Sequence, residues 1–240
     1  MIQIGNFFFR YRNFLFIFLY LALFIPSLPV FSEANFGPHY YRYPLIIGLV
    51  VTIMGQLIRG ATIALAYIVR GGKDKKVYAN TLVTEGIFAH CRNPLYVGNI
   101  LMLVGVGILV NSLLYMVIFI PLFLFIYQAI VLAEEHFLRN KFGNDFDTYT
   151  ERVHRWLINP IGLGKTISGM HFSWRRWLMR EYNTQVVWML CILVILVFKY
   201  GHWEWDAATR NTWFIIAVLV LAGYYGTIRY LKKSGKWKKV

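Results

Sequence analysis

Apolar runs at about 13–31, 44–69, 95–110, 112–133, 184–198 and 211–228 are separated by polar stretches, several of them short. A run of roughly 20 apolar residues is enough to cross a bilayer as a helix. The pattern therefore predicts an all-α polytopic membrane protein with about six transmembrane helices. The first run follows Arg10 and Arg12, lacks a small-residue cleavage site and carries Pro26 and Pro29 near its far end, so it reads as a retained span rather than a removable leader. Only Asn111-Ser112 separates the third and fourth runs, which predicts a tight antiparallel hairpin. Between the fourth and fifth runs, Phe142, Phe146, Tyr149 and Val153 recur at helical spacing, and Asn144 with Asp147 is the expected helix start.

Composition agrees with this pattern. The chain is 58% hydrophobic, 18% aromatic and only 15% charged, against roughly a quarter charged in ordinary soluble domains, and mean hydropathy is +0.51. A net charge of +14 raises nucleic acid as a partner, but counting by loop removes that need. With a cytoplasmic N-terminus, 21 of the 25 Lys and Arg residues fall on the cytoplasmic side; Arg42, Lys199 and Arg210 fall outside and Arg59 inside a span. Both termini are expected to be cytoplasmic. The tail with Arg229, Lys232, Lys233, Lys236, Lys238 and Lys239 is expected at anionic lipid rather than on nucleic acid. Two cysteines, Cys91 and Cys191, supply neither a disulfide framework nor a metal-binding pair, and no metal site is expected.

Three features are not explained by a bilayer alone. Arg59 lies eleven residues before Arg70, about 16 Å of helix from the cytoplasmic end, too deep for easy snorkelling. It calls for an interior partner, either as a packing device or as an electropositive lining for an anionic substrate group or cofactor. Glu134 and Glu135 stand at the cytoplasmic end of the fourth run, where acidic residues oppose the helix dipole. Adjacent carboxylates kept there point to a cationic ligand such as an amine or a sulfonium. The third feature, Arg92-Asn93-Pro94-Leu95-Tyr96-Val97-Gly98, opens the third run: Pro94 suits a first helical turn and Gly98 permits close approach.

These segments together resemble the isoprenylcysteine carboxyl methyltransferase family and its phospholipid methyltransferase relatives. In that family a stretch like His-x-Leu-Val-x-x-Gly-x-Tyr precedes Arg-His-Pro-x-Tyr-x-Gly, followed after a helical hairpin by Glu-Glu-x-x-Leu, Phe-Gly-x-x-Tyr-x-x-Tyr and Val-Pro-Arg. Here the order is Asn80-Thr-Leu82-Val83-Thr-Glu-Gly86-Ile-Phe88, Arg92 to Gly98, Glu134-Glu135-His-Phe-Leu138, Phe142-Gly143 through Tyr149, and Val153-His154-Arg155-Trp156. Gly55-Gln-Leu-Ile-Arg59 is similar to an upstream arginine-bearing helix of these enzymes.

The resemblance implies S-adenosyl-L-methionine at the cytoplasmic face, with Leu82, Val83, Gly86, Asn93, Tyr96, Gly98, Glu134 and Glu135 around it. It further implies Arg92, Tyr149 and Arg155 toward the acceptor, to which Arg59 is added as a substrate-site residue. Asn80 and Asn93 replace motif histidines, Phe88 a tyrosine and His154 a proline, while Ile130 falls near the position of an arginine in prenylcysteine enzymes. That last departure bears on the acceptor more than on the cofactor.

The resulting expectation is a membrane methyltransferase of a lipophilic or small acceptor, with carboxyl O-methylation first and phospholipid N-methylation or thiol S-methylation as alternatives. An NADPH-dependent sterol reductase-like enzyme and a non-catalytic transporter or scaffold are the competing classes. Three regions are expected: an N-terminal span and outer loop over 1–43, a methyltransferase core over 44–160, and a linker, interfacial helix and C-terminal transmembrane hairpin over 161–240.

Overall fold

The computed structural model describes residues 1–65, 77–200 and 206–237; the Gly-Gly-Lys-Asp-Lys-Lys sequence at 71–76 and tail residues Lys238 and Lys239 lie outside the described residues. Every regular element among the described residues is helical. Five helical spans are long and apolar enough to cross a membrane: Ile2–Phe24, Arg42–Leu65, Tyr115–Phe142, Trp174–Tyr200 and Ala207–Lys233. The remaining run forms the shorter apolar helix Pro94–Val110, about 26 Å long at 1.5 Å per residue.

The chain forms two compact units, Met1–His171 and Phe172–Val240. In the first, α1 (Ile2–Leu21) is prolonged by a tight turn to Phe24. It begins well before the expected boundary and carries Arg10 and Arg12 within it. Upstream Phe7, Phe8 and Phe9 extend the apolar run past both arginines. After the short α2 (Glu33–Phe36) come α3 (Arg42–Leu65) and α4 (Pro94–Val110), the most extensively packed pair of the unit.

Glycines make that packing possible. Gly48 and Gly55 on α3, and Gly98 and Gly105 on α4, each stand seven residues apart, two turns on one face. A Cβ on Gly55 would lie 2.6 Å from the Gly98 carbonyl oxygen, and one on Gly48 2.8 Å from that of Gly105. The antiparallel backbones are therefore in direct contact, as small residues allow between membrane helices.

The turn after α4 is as tight as its two-residue length requires. Asn111 adopts a left-handed conformation, φ 53°, which asparagine tolerates. Its side chain accepts from Phe31 N and donates to Phe31 O, both at 2.8 Å, fastening the hairpin to the chain before α2. A π-helical turn over Tyr115–Phe119 leads into α5 (Ile120–Phe142), which also packs against α1. Gly143, at φ 53°, breaks the helix before the amphipathic α6 (Asn144–Arg152). Gly143, not Asn144, holds the capping position, and Asp147 accepts a 2.7 Å hydrogen bond from Arg139. Phe146 anchors α6 at 1% exposure. The short α7 (Leu163–Ser168) completes the unit.

The second unit consists of α8 (Trp174–Ile195), continued by a π-helical turn to Tyr200, and α9 (Ala207–Lys233). The aromatic and basic segment expected as an interfacial helix instead supplies the start of α8, where the Ser173 hydroxyl accepts from Arg176 N. Asp206 caps α9 through hydrogen bonds from Ala208 N and Thr209 N. Within this unit Tyr224 donates to the Gln185 side chain, joining the two helices.

Candidate active site

The first unit gathers the motif residues around the C-terminal half of α5. Consecutive side chains on a helix point about 100° apart, and the two glutamates consequently serve different neighbours. Glu135, 7% exposed, is gripped by Arg155, whose Nε and Nη2 donate to its two oxygens at 2.9 and 2.6 Å. Arg92 approaches the same carboxylate at 3.6 Å. Two guanidinium groups thus share one buried carboxylate, leaving an excess positive charge. Burial pulls the Arg92 pKa down against the attraction of Glu135, while hydrogen bonding to Glu135 raises that of Arg155.

Glu134 turns toward α4. Tyr96 donates to its Oε1 at 2.8 Å, and no described residue hydrogen-bonds its other oxygen. Tyr96 also packs on Tyr127, ring centroids 5.3 Å apart, and Asn99 lies on α4 one turn beyond Tyr96. Asn99 accepts from Arg59, so a run of polar side chains extends from Glu134 into the α3–α4 interface. Arg59, 4% exposed, is seated there by Gly98: a Cβ at that position would meet Arg59 Cγ at 2.5 Å. Sequence separation of 40 residues concealed the Arg59–Asn99 pairing.

The arginines are positioned by two segments lying side by side. Arg92 N donates to His154 O at 3.0 Å, and Asn159 N to His90 O at 2.9 Å. Asn93 Nδ2 donates to Arg155 O at 3.2 Å. The buried His90 ring bonds Asn159 O through Nδ1 and Thr166 Oγ1 through Nε2. Tyr149 donates to Phe88 O at 2.8 Å, and burial pushes its phenol pKa up; it braces the Gly86–Ala89 turn. Gly86 needs its left-handed φ of 63°. Leu82 and Val83 lie half-buried in the loop before it.

Cys91 is fully buried beneath these segments, and burial pushes its thiol pKa up. Thiolate formation and access both control cysteine reactivity. Cys91 is therefore expected to resist a water-soluble maleimide at pH 7.5 until the protein is denatured, as read by mass spectrometry of the labelled peptide.

An apolar groove of about 490 Å³ opens between α4 and α5, lined by Val97, Ile100, Leu101, Leu124, Phe125, Gln128 and Trp156. Trp156 Nε1 donates to Gln128 Oε1 at 3.0 Å, forming its polar end. Trp156 follows Arg155 directly, and Gln128 precedes Glu135 by two helical turns on the same face. The groove's polar end is therefore joined along the chain to Arg155 and along α5 to Glu135. Neither Gln128 nor the groove was marked by a sequence motif. A lone glutamine in an apolar helix was the one available signal.

Helices that suit a bilayer, with carboxylates and guanidiniums gathered beside an apolar groove, define an integral membrane protein with a site for polar chemistry at its border. The phospholipid methyltransferase family profile matches residues 43–145, from α3 into α6. The chain is 27% identical over 144 residues to the Oryza sativa subsp. indica protein named "Probable protein-S-isoprenylcysteine O-methyltransferase", covering 57% of this chain and 74% of that protein. It is 26% identical over 140 residues to protein-S-isoprenylcysteine O-methyltransferase B of Arabidopsis thaliana, covering 55% and 70%. A shorter stretch of 74 residues is 38% identical to the cobalt-zinc-cadmium resistance protein CzcN of Cupriavidus metallidurans, covering 31% and 34%. No solved structure matches. Over these segments the chain is similar to the isoprenylcysteine carboxyl methyltransferase and phospholipid methyltransferase family of membrane enzymes. It is a methyltransferase, which sets aside the reductase and scaffold readings.

Proposed function

We propose that the protein transfers a methyl group from S-adenosylmethionine to the carboxylate of a lipophilic acceptor held at the α4–α5 groove. The observation that carries the acceptor class is the pair of guanidiniums on one buried carboxylate, with Arg155 directly preceding the groove-lining Trp156. Their excess positive charge favours an anionic acceptor and disfavours the ammonium form of an amine. Arg92 and Arg155 hold the acceptor carboxylate ionised and oriented, while Val97, Leu101 and Phe125 hold its apolar chain and exclude water. Orientation and dehydration are the main contributions available to a displacement of this kind.

The residues near Glu134 fit a cationic donor. Its carboxylate is half-buried, is held by Tyr96 and keeps one oxygen without a described partner. The half-buried Leu82 and Val83, with Gly86 and Asn93, are assigned to the same donor face; Gly98 contributes by admitting the Arg59 stem between α3 and α4. When bound, S-adenosylmethionine supplies a methyl group on a positively charged sulfur. Glu134 binds that cation's side of the site, and Glu135 positions the two arginines. Tyr149 supports the loop carrying Arg92 through Phe88.

The distribution of basic residues supports cytoplasmic termini, so the donor reaches its face from water and the acceptor enters from the bilayer. The basic C-terminal tail is assigned to anionic lipid. Incubation of purified protein with methyl-labelled S-adenosylmethionine and host lipid extract tests the reaction. A base-labile methyl ester identified by mass spectrometry is the expected product; label on an amine head group would replace this acceptor assignment with the phospholipid one.

A further inference from the structure

The N-terminal helix lies outside the segment matched by the family profile, yet it brings a cation to the donor side of the site. Gly5, Phe9, Arg12 and Phe16 follow one another at steps of four, three and four residues, along one helix face. That face is pressed onto α5. A Cβ on Gly5 would lie 2.0 Å from Ala129 O and 2.8 Å from Ala133 Cβ, so the helix backbones touch. Farther along, Phe16 packs on Tyr127 with ring centroids 5.5 Å apart. Tyr127 packs on Tyr96, which donates to Glu134.

Arg12 stands one turn from Phe16 on this face, with its guanidinium 4.6 Å from the centroid of the buried Phe9 ring. Its charge acts on Tyr96, Tyr127 and Glu134, but it forms no ion pair with Glu134 among the described residues. No described residue accepts a hydrogen bond from the Arg12 guanidinium. A half-buried cation and a half-buried carboxylate with one oxygen to spare thus stand on two helices joined by the Phe16–Tyr127–Tyr96 ring contacts and are unneutralised by direct contact. Had the two served only to lock α1 onto α5, the geometry that gains most would be a bidentate pair.

We propose that Arg12 and Glu134 form a recognition site for an α-amino-acid zwitterion, Arg12 taking the carboxylate and Glu134 the ammonium group. This rests on S-adenosylmethionine being the donor, whose methionine end carries both groups. It makes α1 part of the donor site, with Arg12 as a binding residue that discriminates donors carrying a carboxylate from those lacking one.

The test compares binding of S-adenosylmethionine and its decarboxylated analogue by titration calorimetry in detergent. Charge-assisted hydrogen bonds to a carboxylate lead us to expect about ten- to hundred-fold tighter binding of the intact donor by wild type. R12M is expected to weaken intact-donor binding by that factor and to leave the decarboxylated analogue bound at least as well as in wild type. Because each protein is judged by its own ratio, a general loss of stability does not imitate the result. Equal wild-type affinities overturn the proposal, and this measurement needs no variant. A preference that survives in R12M, or equal weakening of both ligands, also overturns it. Wild type that binds neither ligand instead removes the donor assignment on which the proposal stands.

Discussion

Replacing Glu135 by alanine is expected to lower stability by about 3 kcal/mol and to abolish methyl transfer. The substitution leaves Arg92 and Arg155 facing each other without their shared carboxylate. Removing one member of a buried ion pair costs about 3–5 kcal/mol because the remaining charge stays desolvated. The low end applies here, since the Arg155 side chain is 31% exposed and water can relieve part of the cost. The Arg155 guanidinium would lose both donated hydrogen bonds, and the held position of Arg155 beside Trp156 would be lost with them. Thermal unfolding in detergent, followed alongside methyl transfer, checks both effects. Glu135→Gln, which keeps the shape and a hydrogen-bond acceptor, is expected to lose less stability than activity.

Gly105→Ala is the second change with a large expected effect, and it acts far from the charged cluster. The added Cβ would sit 2.3 Å from Thr52 Oγ1, 2.5 Å from Thr52 N and 2.7 Å from Gly48 O. Two of these three atoms belong to backbone, so no side-chain rotation relieves the clash and α3 must move from α4. Overpacking of this kind costs about 1–3 kcal/mol. The Arg59–Asn99 contact spans the same helix pair and is expected to loosen with it, carrying the effect toward Tyr96 and Glu134. Gly223→Ala on α9 provides the contrast, because nothing lies within 4 Å of its Cβ position. There the gain in helix propensity is expected to leave stability unchanged or raised by up to about 1 kcal/mol. Unfolding midpoints of the two variants in the same detergent test the difference.

Local patterns made much of this architecture readable in advance. The apolar runs located the helices, since backbone polar groups in a bilayer must be satisfied within the helix. Asn111-Ser112 foretold a tight turn because two residues allow nothing longer. The start of α1 was less legible: taking Arg10 and Arg12 as a boundary overlooked the aromatic residues before them, and charged residues are carried within a span when they have somewhere to point. The start of α6 at Asn144 was legible, while its capping position falls to the preceding Gly143, whose backbone makes the turn.

At the site, residue identities were more legible than partnerships. Glu134 and Glu135 announce themselves together by sequence. Only the packing separates them, giving Glu135 to Arg92 and Arg155 and Glu134 to Tyr96. The pairing of residues 90–93 with 154–159 depends on contacts over more than 60 positions, which neither periodicity nor propensity encodes. Gln128 and Trp156 were hidden for a related reason: each is unremarkable alone and acquires meaning when their hydrogen bond closes the end of an apolar groove.

The groove is the feature through which a membrane-borne acceptor and a water-borne donor would meet. Leu101→Trp adds bulk to its lining without touching the residues assigned to the donor. The most direct measurement is methyl transfer from labelled S-adenosylmethionine into lipid-extractable product by reconstituted wild type and Leu101→Trp, with donor binding measured on the same preparations. The predicted result is labelled product from wild type, at least ten-fold less from the variant, and unchanged donor affinity. Wild type that binds the donor but labels no lipophilic product, or a variant that labels it as fast as wild type, would contradict the account.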